Sequence, residues 1–403
     1  MNPAKRVFIL SYLAYASYYL VRLSLSITIP AISKELGYSK LMLGLISGAF
    51  SVSYAIGQFI NGQLADSFGA KKLISLGLAT SAIISIAFGY SEAFPILLLL
   101  WGLNGYFQSM GWPSVVKIIG EWFRRESSGK IGGFFGSCFL VGNIISWIIL
   151  GWITANMGWR ASFLIPPIPL IPLALIIYLS LEERRVSHKT RSLKNEALRM
   201  AYRFWRIMFS KRIIIIAVTY MLLQFIRSGH STWAPSYIFE VYGVSPNMAG
   251  WGAAVIPLGG VAGSTVAGWL SDRLGRSRRF HWMTIMVIFL SFVISALYGS
   301  VSYGLYLGVV LLFLSGLMLY APHVVIATVV PIDLEEKYGA AGVAGFIDGL
   351  GYIGIMFADP FIGWLVDVYG WNGAVTFWLL SSIGSALLLS TLILESLKSR
   401  REN

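Results

Sequence analysis

Two arginines lie inside segments that are otherwise apolar enough to cross a membrane. Arg22 follows Tyr15 and Tyr19 at helical spacing, which places the three side chains on one helix face. Arg227 follows Gln224 by three residues in the same way. An arginine keeps its charge in a protein, and placing it at mid-bilayer costs at least about 2.5–3.5 kcal/mol. This cost indicates a function, and a planar guanidinium suits the oxygens of a carboxylate, sulfonate or phosphate.

Acidic residues within the apolar segments offer an alternative in which the arginines are neutralised internally. Asp348 and Asp359 both lie in such a segment. Asp348 precedes Tyr352 by four residues and therefore shares its helix face. There it could balance Arg227, accept a coupling proton or pack at the periphery, and these three roles stay open. Asp359 is followed by Pro360, which suggests a helix break, and no role is assigned to it.

Two histidines lie near the same segments. His230 follows Arg227 by three residues and could titrate near neutrality, so a coupling role stays open. His323 stands beside Pro322 and is interpreted as the partner of a helix bend rather than as a functional group. The four histidines and the acids do not show the spacing of a metal site. We therefore expect no metal, no cofactor and no enzymatic activity.

The composition requires lipid as the solvent for much of the chain. Of 403 residues, 56% are hydrophobic and 12% are charged, and the mean hydropathy is +0.71. Soluble proteins carry about 25% charged residues, whereas several runs here exceed the ~20 apolar residues that cross a bilayer. Hydropathy predicts twelve spans, numbered 1–12 in chain order, the first being a retained span rather than a signal peptide. The single cysteine, Cys138, cannot form an internal disulfide.

Basic residues are concentrated on one side of the predicted bilayer. Of the 31 lysines and arginines, only Lys34, Lys40 and Arg160 lie in connections opposite the N-terminus. The positive-inside rule then predicts a cell-membrane protein with both termini in the cytoplasm. The net charge of +13 is explained by topology and by contact with anionic lipid, so no nucleic-acid partner is expected.

The chain repeats itself on either side of a basic segment at 182–212. The loop after span 2, Gly-x-x-x-Asp-x-x-Gly, recurs after span 8. Arg22 and Arg227 match at nearly the same spacing. A duplicated six-span unit is therefore predicted, with halves at 1–181 and 213–403. The expected fold is an all-α polytopic membrane protein of twelve helices in two pseudo-symmetric halves, which is the architecture of the major facilitator superfamily.

The repeated loop resembles the signature loop of that superfamily. Its residues in this chain are Gly62, Asp66, Gly69, Gly268, Asp272, Arg273 and Gly275. Glycines permit a tight turn and close helix approach, and each aspartate could pair with arginines or meet a helix N-terminus. The resemblance implies a gate between the halves, and plain topogenic charge is the alternative. Another glycine-rich run, at 259–263, is interpreted as a helix-packing surface.

Four blocks of sequence resemble the organophosphate:phosphate antiporters, which include transporters of glycerol 3-phosphate and hexose 6-phosphate. The blocks read YASYYLVRLSLSITIP, NGYFQSMGWPSVVK, IRSGHSTWAPSYI and AAGVAGFIDGLGYIG. The resemblance implies a substrate site formed by two arginines and four tyrosines. These are Arg22, Arg227, Tyr15, Tyr19, Tyr320 and Tyr352.

The chain departs from that family at positions where the family carries further polar or charged groups. Gln58 replaces a lysine, Phe139 replaces a histidine, and Thr232 replaces an acid. Gln224 replaces a tyrosine, and both glutamines are candidate substrate contacts. With fewer charged groups in the site, a substrate that is a carboxylate, a sulfonate or another anion of lower charge is favoured more than in a close family member. A phosphate ester stays open as the substrate.

The sequence thus predicts a monomeric secondary transporter that moves a small organic anion by rocker-switch alternating access, with anion exchange favoured. An empty site would leave two arginines poorly neutralised in a low dielectric, and a bound anion removes that penalty. Inorganic phosphate or a proton is the expected coupling species. A proton-coupled symporter and a non-transporting solute sensor of the same fold are the alternatives. An exporter of lipophilic cations fits poorly, because the charge located in the cavity is mainly positive.

Overall fold

A computed structural model of the 403-residue chain describes residues 3–122, 128–183, 209–274, 278–334 and 340–401. Every regular element in these ranges is a helix. The expected all-α class is therefore confirmed.

The first six spans are built from helices that end at residue 180. Spans 1, 4 and 6 are each divided by a short irregular segment, and the division of span 1 comes directly after Arg22. The helices are Pro3–Arg22 and Ser24–Leu36 (span 1), Lys40–Phe68 (span 2), Ala70–Tyr90 (span 3), Phe94–Gln108 and Gly111–Trp122 (span 4), Ser128–Met157 (span 5), and Ala161–Leu164 and Leu170–Ser180 (span 6).

The last six spans begin at residue 211, and two of them contain a π-helical turn. These turns are single-turn irregularities that often mark functional positions in helices. The elements are Lys211–Ser228, the π turn Gly229–Trp233 and Ala234–Tyr242 (span 7), Pro246–Leu274 (span 8), Arg279–Ser300 and the 3-10 turn Val301–Tyr303 (span 9), Leu305–Val324, the π turn Val325–Val329 and Val330–Asp333 (span 10), and Ala340–Arg401 (spans 11 and 12).

The break between spans 11 and 12 is made by one glycine. Gly370 has φ 66° and ψ −170°, a conformation that glycine adopts without the strain that a Cβ would cause. Within the described ranges, nine helical stretches are long and apolar enough to cross a membrane, and Phe346–Glu395 counts once among them. Spans 4 and 6 are not among the nine because their breaks leave shorter helices. The described helices thus accommodate the twelve predicted spans.

Packing divides the chain into two units that are not contiguous in sequence. Unit 1 comprises Met1–Val186, Ser231–Pro257 and Asp359–Val368, and unit 2 comprises Ser187–His230, Leu258–Ala358 and Tyr369–Asn403. Unit 1 therefore contains the first six spans together with parts of spans 7, 8 and 11. The predicted boundaries at 1–181, 182–212 and 213–403 stay a prediction.

Each unit has its own packed interior. In unit 1 the rings of Phe88, Trp101 and Phe163 join spans 3, 4 and 6, with centroids 4.5–5.8 Å apart. In unit 2 a Cβ atom on Gly259 or Gly263 would overlap a main-chain carbonyl oxygen of span 10. These glycines let the backbones of spans 8 and 10 approach closely, which is how small residues act between helices in lipid. The packing interpretation of the 259–263 run is therefore supported.

Candidate functional site

Arg22 ends the first helix of span 1, and its guanidinium is held by two neutral groups of unit 1. Its Nε donates to Oε1 of Gln108 on span 4 at 2.8 Å. Its Nη1 donates to the Tyr19 hydroxyl at 3.2 Å, as the spacing of three predicts. Gln108 and Tyr19 orient the guanidinium without contributing an opposite charge, so these contacts preserve its positive character toward an anion.

Aromatic rings surround the same guanidinium. Its central carbon lies 4.7 Å from the ring centroids of Tyr19 and Tyr54 and 5.5 Å from that of Phe50. Cation–π contacts of this kind attract the charge without neutralising it. Tyr15 lies beside this group, with its hydroxyl 3.5 Å from the Tyr54 hydroxyl. The structure therefore brings Tyr15 and Tyr19 together with Arg22, and it adds Tyr54 from span 2.

A buried amide network supports Gln108. Its Nε2 donates to the Ser81 hydroxyl at 3.1 Å and to Oδ1 of Asn104 at 3.3 Å. Ser81 in turn donates to the same Asn104 oxygen. All three side chains are fully buried, so their hydrogen bonds act in a low dielectric where they are strong. The network keeps the carbonyl oxygen of Gln108 directed at Arg22.

The amide that contacts Arg22 is therefore Gln108, a residue that the sequence analysis did not name. The role of Gln58 as a substrate contact stays a prediction. Gln58 is half-buried on span 2, four residues after Tyr54. A usable signal did exist, since Asn104 and Gln108 are polar residues at a spacing of four in an apolar helix. Nothing in the sequence indicated which helix this polar face would meet.

Unit 2 contains a second polar cluster around Arg227. Tyr220, Gln224 and Arg227 follow one another at spacings of four and three on the helix Lys211–Ser228. The Tyr220 hydroxyl donates to Oδ1 of Asp348 on span 11 at 3.1 Å. Arg227 is close enough to act electrostatically on Asp348, Tyr220 and His323. Asp348 is exposed, whereas Tyr220 is only 2% exposed, so the tyrosine hydroxyl lies where the packed interior meets open space.

Tyr220 is the residue of this cluster that the sequence analysis left out of the site. It precedes Arg227 by seven residues, just as Tyr15 precedes Arg22. The repeat therefore contained the signal for it. Its ring stacks on His323 of span 10 with centroids 4.7 Å apart, and His323 lies 5.9 Å from Tyr320. The predicted Tyr320 thus joins the cluster through His323, and the predicted Tyr352 is half-buried on the face of span 11 that carries Asp348.

His230 lies apart from this cluster although it follows Arg227 by three residues. It is 1% exposed, and its ring centroid is 5.9 Å from that of Trp378 on span 12. Its Nε2 lies 3.4 Å from the Ser315 hydroxyl on span 10. These contacts place His230 in the packing of spans 7, 10 and 12, and its coupling role stays a prediction.

The signature loops are described only in part. The side chains of Asp66 and Asp272 and the whole of Gly275 lie outside the described residues. Gly62, Gly268 and Arg273 lie near the ends of spans 2 and 8, with the Arg273 guanidinium 5.0 Å from the Trp269 ring. Gly69 turns the chain with φ 97°, and the carboxylate of Glu183 accepts a hydrogen bond from the Lys71 amide just beyond it. An acid does therefore meet a helix N-terminus here, and it is supplied by Glu183, which the sequence analysis did not name.

Asp359, which had no assigned role, is buried in unit 1 and accepts two hydroxyl hydrogen bonds. Its Oδ2 lies 2.5 Å from Ser47 Oγ of span 2 and 3.0 Å from Thr232 Oγ1 of span 7. The family resemblance implied an acid at position 232. This chain has Thr232 there, and its hydroxyl donates a hydrogen bond to Asp359 of span 11. Asp367, eight residues later, accepts hydrogen bonds from the amides of Lys40 and Leu41 at the start of span 2. We call this contact of spans 2, 7 and 11 the Asp359 seam.

Comparisons with known proteins agree with this architecture. The family model described as "Major Facilitator Superfamily" matches residues 11–324. The chain is 28% identical over 415 residues to the glycerol-3-phosphate transporter of Bacillus subtilis strain 168, covering 96% of this chain and 91% of the relative. It is 26% identical over 393 residues to a "Probable hexose phosphate transport protein" of Chlamydia pneumoniae, covering 91% and 86%.

A solved structure matches over nearly the whole chain. The crystal structure of a bacterial homolog of the human lysosomal transporter Spinster, inward-facing and unoccupied, has a TM-score of 0.80 and 16% identity. It covers 98% of this chain and 97% of that chain, which supports the fold alone. The relatives confirm the resemblance to the organophosphate transporters. Because the family model covers most of the chain, the protein belongs to the Major Facilitator Superfamily, and it is a membrane transporter rather than an enzyme.

Proposed function

We propose that the protein exchanges small organic anions, with phosphate esters as the first class to test, across the cell membrane by alternating access. The observation that carries the proposal is the setting of Arg22. A permanent cation inside a membrane span is oriented by the neutral groups Gln108 and Tyr19. Such a setting keeps the charge available to a negatively charged ligand. The names of the two relatives, which concern glycerol 3-phosphate and hexose phosphate, support the phosphate-ester class.

The proposal assigns anion binding to both arginines, each considered within its own unit. Support comes from the internal repeat, which matches Arg22 with Arg227, and from the polar cluster that surrounds each of them in its own unit. The Tyr15-to-Arg22 spacing equals the Tyr220-to-Arg227 spacing. A guanidinium can bind two oxygens of a phosphate group by charge-assisted hydrogen bonds.

The exchange proposal rests on the cost of moving arginine charge into a low dielectric without a bound anion. Burying a charge costs several kcal/mol per ion, and a bound anion offsets this penalty. Loaded carriers would therefore change conformation, and empty carriers would not. Purified protein in vesicles tests this directly. Phosphate or glycerol 3-phosphate inside the vesicles should accelerate the uptake of labelled glycerol 3-phosphate. An uptake rate that is the same with and without internal anion would refute exchange.

The arginine assignment has its own test with conservative variants. Arg22→Lys and Arg227→Lys retain the charge but lose the planar fork of donors. We expect each variant to weaken anion binding in a thermal-shift titration of purified protein. Anion-dependent stabilisation that matches wild type in both variants would remove these residues from the site.

Proton-coupled symport is the second candidate, and the position of Asp348 favours it. This acid accepts a hydrogen bond from Tyr220 and interacts electrostatically with Arg227. A proton on Asp348 would leave Arg227 less neutralised and thus couple proton binding to anion binding. Uptake driven by an imposed pH gradient, without internal anion, would support symport against exchange. Binding without any transport would instead indicate a sensor.

The orientation is also part of the proposal. The clustering of lysines and arginines supports cytoplasmic termini for both ends of the chain. Fusing a reporter that is active only in the cytoplasm to each terminus tests the orientation. Both fusions should be active. A terminal reporter found on the opposite side of the membrane would overturn the orientation.

A further inference from the structure

We propose that the starts of spans 7 and 9 in unit 2 form a binding site for the headgroup of an anionic phospholipid. The site lies apart from the transport arginines, because the start of span 7 is about 24 Å from Arg227 along a helix that rises ~1.5 Å per residue. The inference therefore goes beyond the proposed function and does not depend on it.

Four basic residues are brought together where spans 7 and 9 begin. They are Lys211, Arg212, Arg278 and Arg279, and we call them the basic patch. The guanidinium carbon of Arg212 lies 5.6 Å from the ring centroid of Phe280, so the first turns of the two helices are in contact. Among the described side chains at these two helix starts and at the end of span 12, the one acid is Glu395. The patch therefore has a net positive charge.

The patch is accessible to a negatively charged partner. Arg212 and Arg278 are exposed, and neither takes part in an ion pair among the described residues. Lys211 pairs with Glu395 at 3.5 Å, but its side chain is 82% exposed, and such surface pairs are weak. A guanidinium forms paired, charge-assisted hydrogen bonds with phosphate oxygens. A lipid phosphate therefore suits the two exposed arginines.

Unit 1 contains the corresponding helix start with an anion that the protein itself supplies. There the carboxylate of Glu183 accepts a hydrogen bond from the Lys71 amide in the first turn of span 3. The repeat matches Glu183 with Glu395, since each follows a Gly-Trp pair at the same spacing. Glu395 pairs with Lys211 of span 7 instead, and the N-cap residue of span 9 makes no side-chain capping hydrogen bond. An external phosphate would take the place at span 9 that Glu183 takes at span 3, because helix N-termini favour anions.

The first turn of span 9 also contains side-chain nitrogens without a hydrogen-bond partner among the described residues. They are Nε1 of Trp282 and Nδ1 of His281. Trp282 is 5% exposed, and side chains on a helix lean toward its N-terminus, which directs this indole toward the patch. An indole N–H only donates, so its missing partner is an acceptor. The phosphate and ester oxygens of a lipid headgroup are acceptors.

A row of exposed apolar side chains continues from the patch along span 9. The row repeats at spacings of three and four residues, and each member is at least 42% exposed; it comprises Ile285, Ile288, Phe289 and Phe292. Arg278 and His281 precede Ile285 by seven and four residues and therefore share its side of the helix. An acyl chain packed on this row would place its headgroup at the patch. A free anion gains nothing from the row, so the arrangement favours a phospholipid.

Native mass spectrometry of purified full-length protein in detergent tests the site, because it counts the lipids bound to the folded protein. Phosphatidylglycerol and phosphatidylcholine with the same acyl chains are titrated against wild type and variants. The double variant Arg212→Gln, Arg278→Gln removes the two exposed patch arginines. The double variant Lys5→Gln, Arg6→Gln is the matched control, because it removes a basic pair from the start of span 1, the corresponding helix of unit 1. Trp282→Phe keeps an aromatic ring and removes the indole N–H.

We expect wild type to bind phosphatidylglycerol more tightly than phosphatidylcholine. The patch variant should lose about thirtyfold in affinity for phosphatidylglycerol, since each basic side chain near an anionic surface contributes about fivefold. Trp282→Phe should lose about three- to tenfold, the value of one hydrogen bond. The control should bind as wild type does, and a large excess of inorganic phosphate should not displace the lipid.

Three results would overturn the proposal. The first is equal affinity of wild type for the two lipids, and the second is a loss in the patch variant no larger than in the control. The third is displacement of phosphatidylglycerol by inorganic phosphate, which would identify a site for a free anion instead. Each of these results leaves the transport proposal standing, because that proposal is tested by uptake into vesicles.

Discussion

Replacement of Gln108 by glutamate keeps a hydrogen-bond acceptor for Arg22 but places an opposite charge beside its guanidinium. In the native protein Oε1 of Gln108 lies 2.8 Å from Nε of Arg22. A carboxylate there preserves the acceptor but adds a full negative charge about 4 Å from the guanidinium centre. At an effective dielectric of about 20 this attraction is on the order of 4 kcal/mol. An anion bound at Arg22 would lose a comparable amount, which corresponds to about a thousandfold in affinity.

Gln108→Leu provides the complementary perturbation. It removes the acceptor without adding charge, and the loss of a hydrogen bond to a charged group is about 1.5–3 kcal/mol. We expect anion affinity to fall about ten- to a hundredfold, which is less than for glutamate. Without ligand, the order of thermal stability should differ. The leucine variant should be less stable than the glutamate variant. Both lose the hydrogen bonds that Nε2 of Gln108 donates to Ser81 and Asn104, but only the glutamate variant gains an ion pair with Arg22.

The assay is calorimetric titration of purified protein with glycerol 3-phosphate, combined with thermal unfolding in the absence of ligand. Asn156→Asp is the matched control, because it makes the same amide-to-acid change at an exposed position of span 5. The control should bind the ester as wild type does. If Gln108→Glu also binds like wild type, then Arg22 does not bind the anion and the reasoning is refuted.

Three further predictions follow from contacts of the described residues. Gly44→Ala places a Cβ 2.5 Å from a span 11 carbonyl oxygen in the Asp359 seam and should lower the free energy of unfolding by about 1–3 kcal/mol. Gly268→Ala is the control, because a Cβ there meets nothing within 4 Å. Equal thermal unfolding of the two variants would contradict this. Tyr18→Phe removes a 2.9 Å hydrogen bond to a span 3 carbonyl and should cost about 0.5–1.5 kcal/mol of stability without changing anion affinity. Tyr19→Phe should instead lower anion affinity. Titration of both variants with the anion separates the structural role of Tyr18 from the binding role of Tyr19. Asp348→Asn should preserve exchange in vesicles, and loss of exchange with intact folding would favour proton coupling.

The sequence by itself determined the class of the protein and the local faces of its helices. Apolar runs long enough to cross a bilayer require helices, because lipid offers no partners for backbone polar groups. The spacing of Tyr15, Tyr19 and Arg22 places them on one face by helix geometry alone. The repeat likewise related Arg22 to Arg227, and its spacing also contained Tyr220. These conclusions depend only on neighbours within one helix.

Tertiary structure alone decided which helices these faces meet. Arg22 contacts Gln108, which the sequence analysis did not name, since the packing of spans 1 and 4 brings together two residues far apart in sequence. Asp359 finds hydroxyl partners on spans 2 and 7, and no pattern around Pro360 indicated them. Helix crossing and register depend on the shapes of both packed surfaces. A local spacing fixes which side chains share a face, whereas their partners depend on the packing of the whole fold.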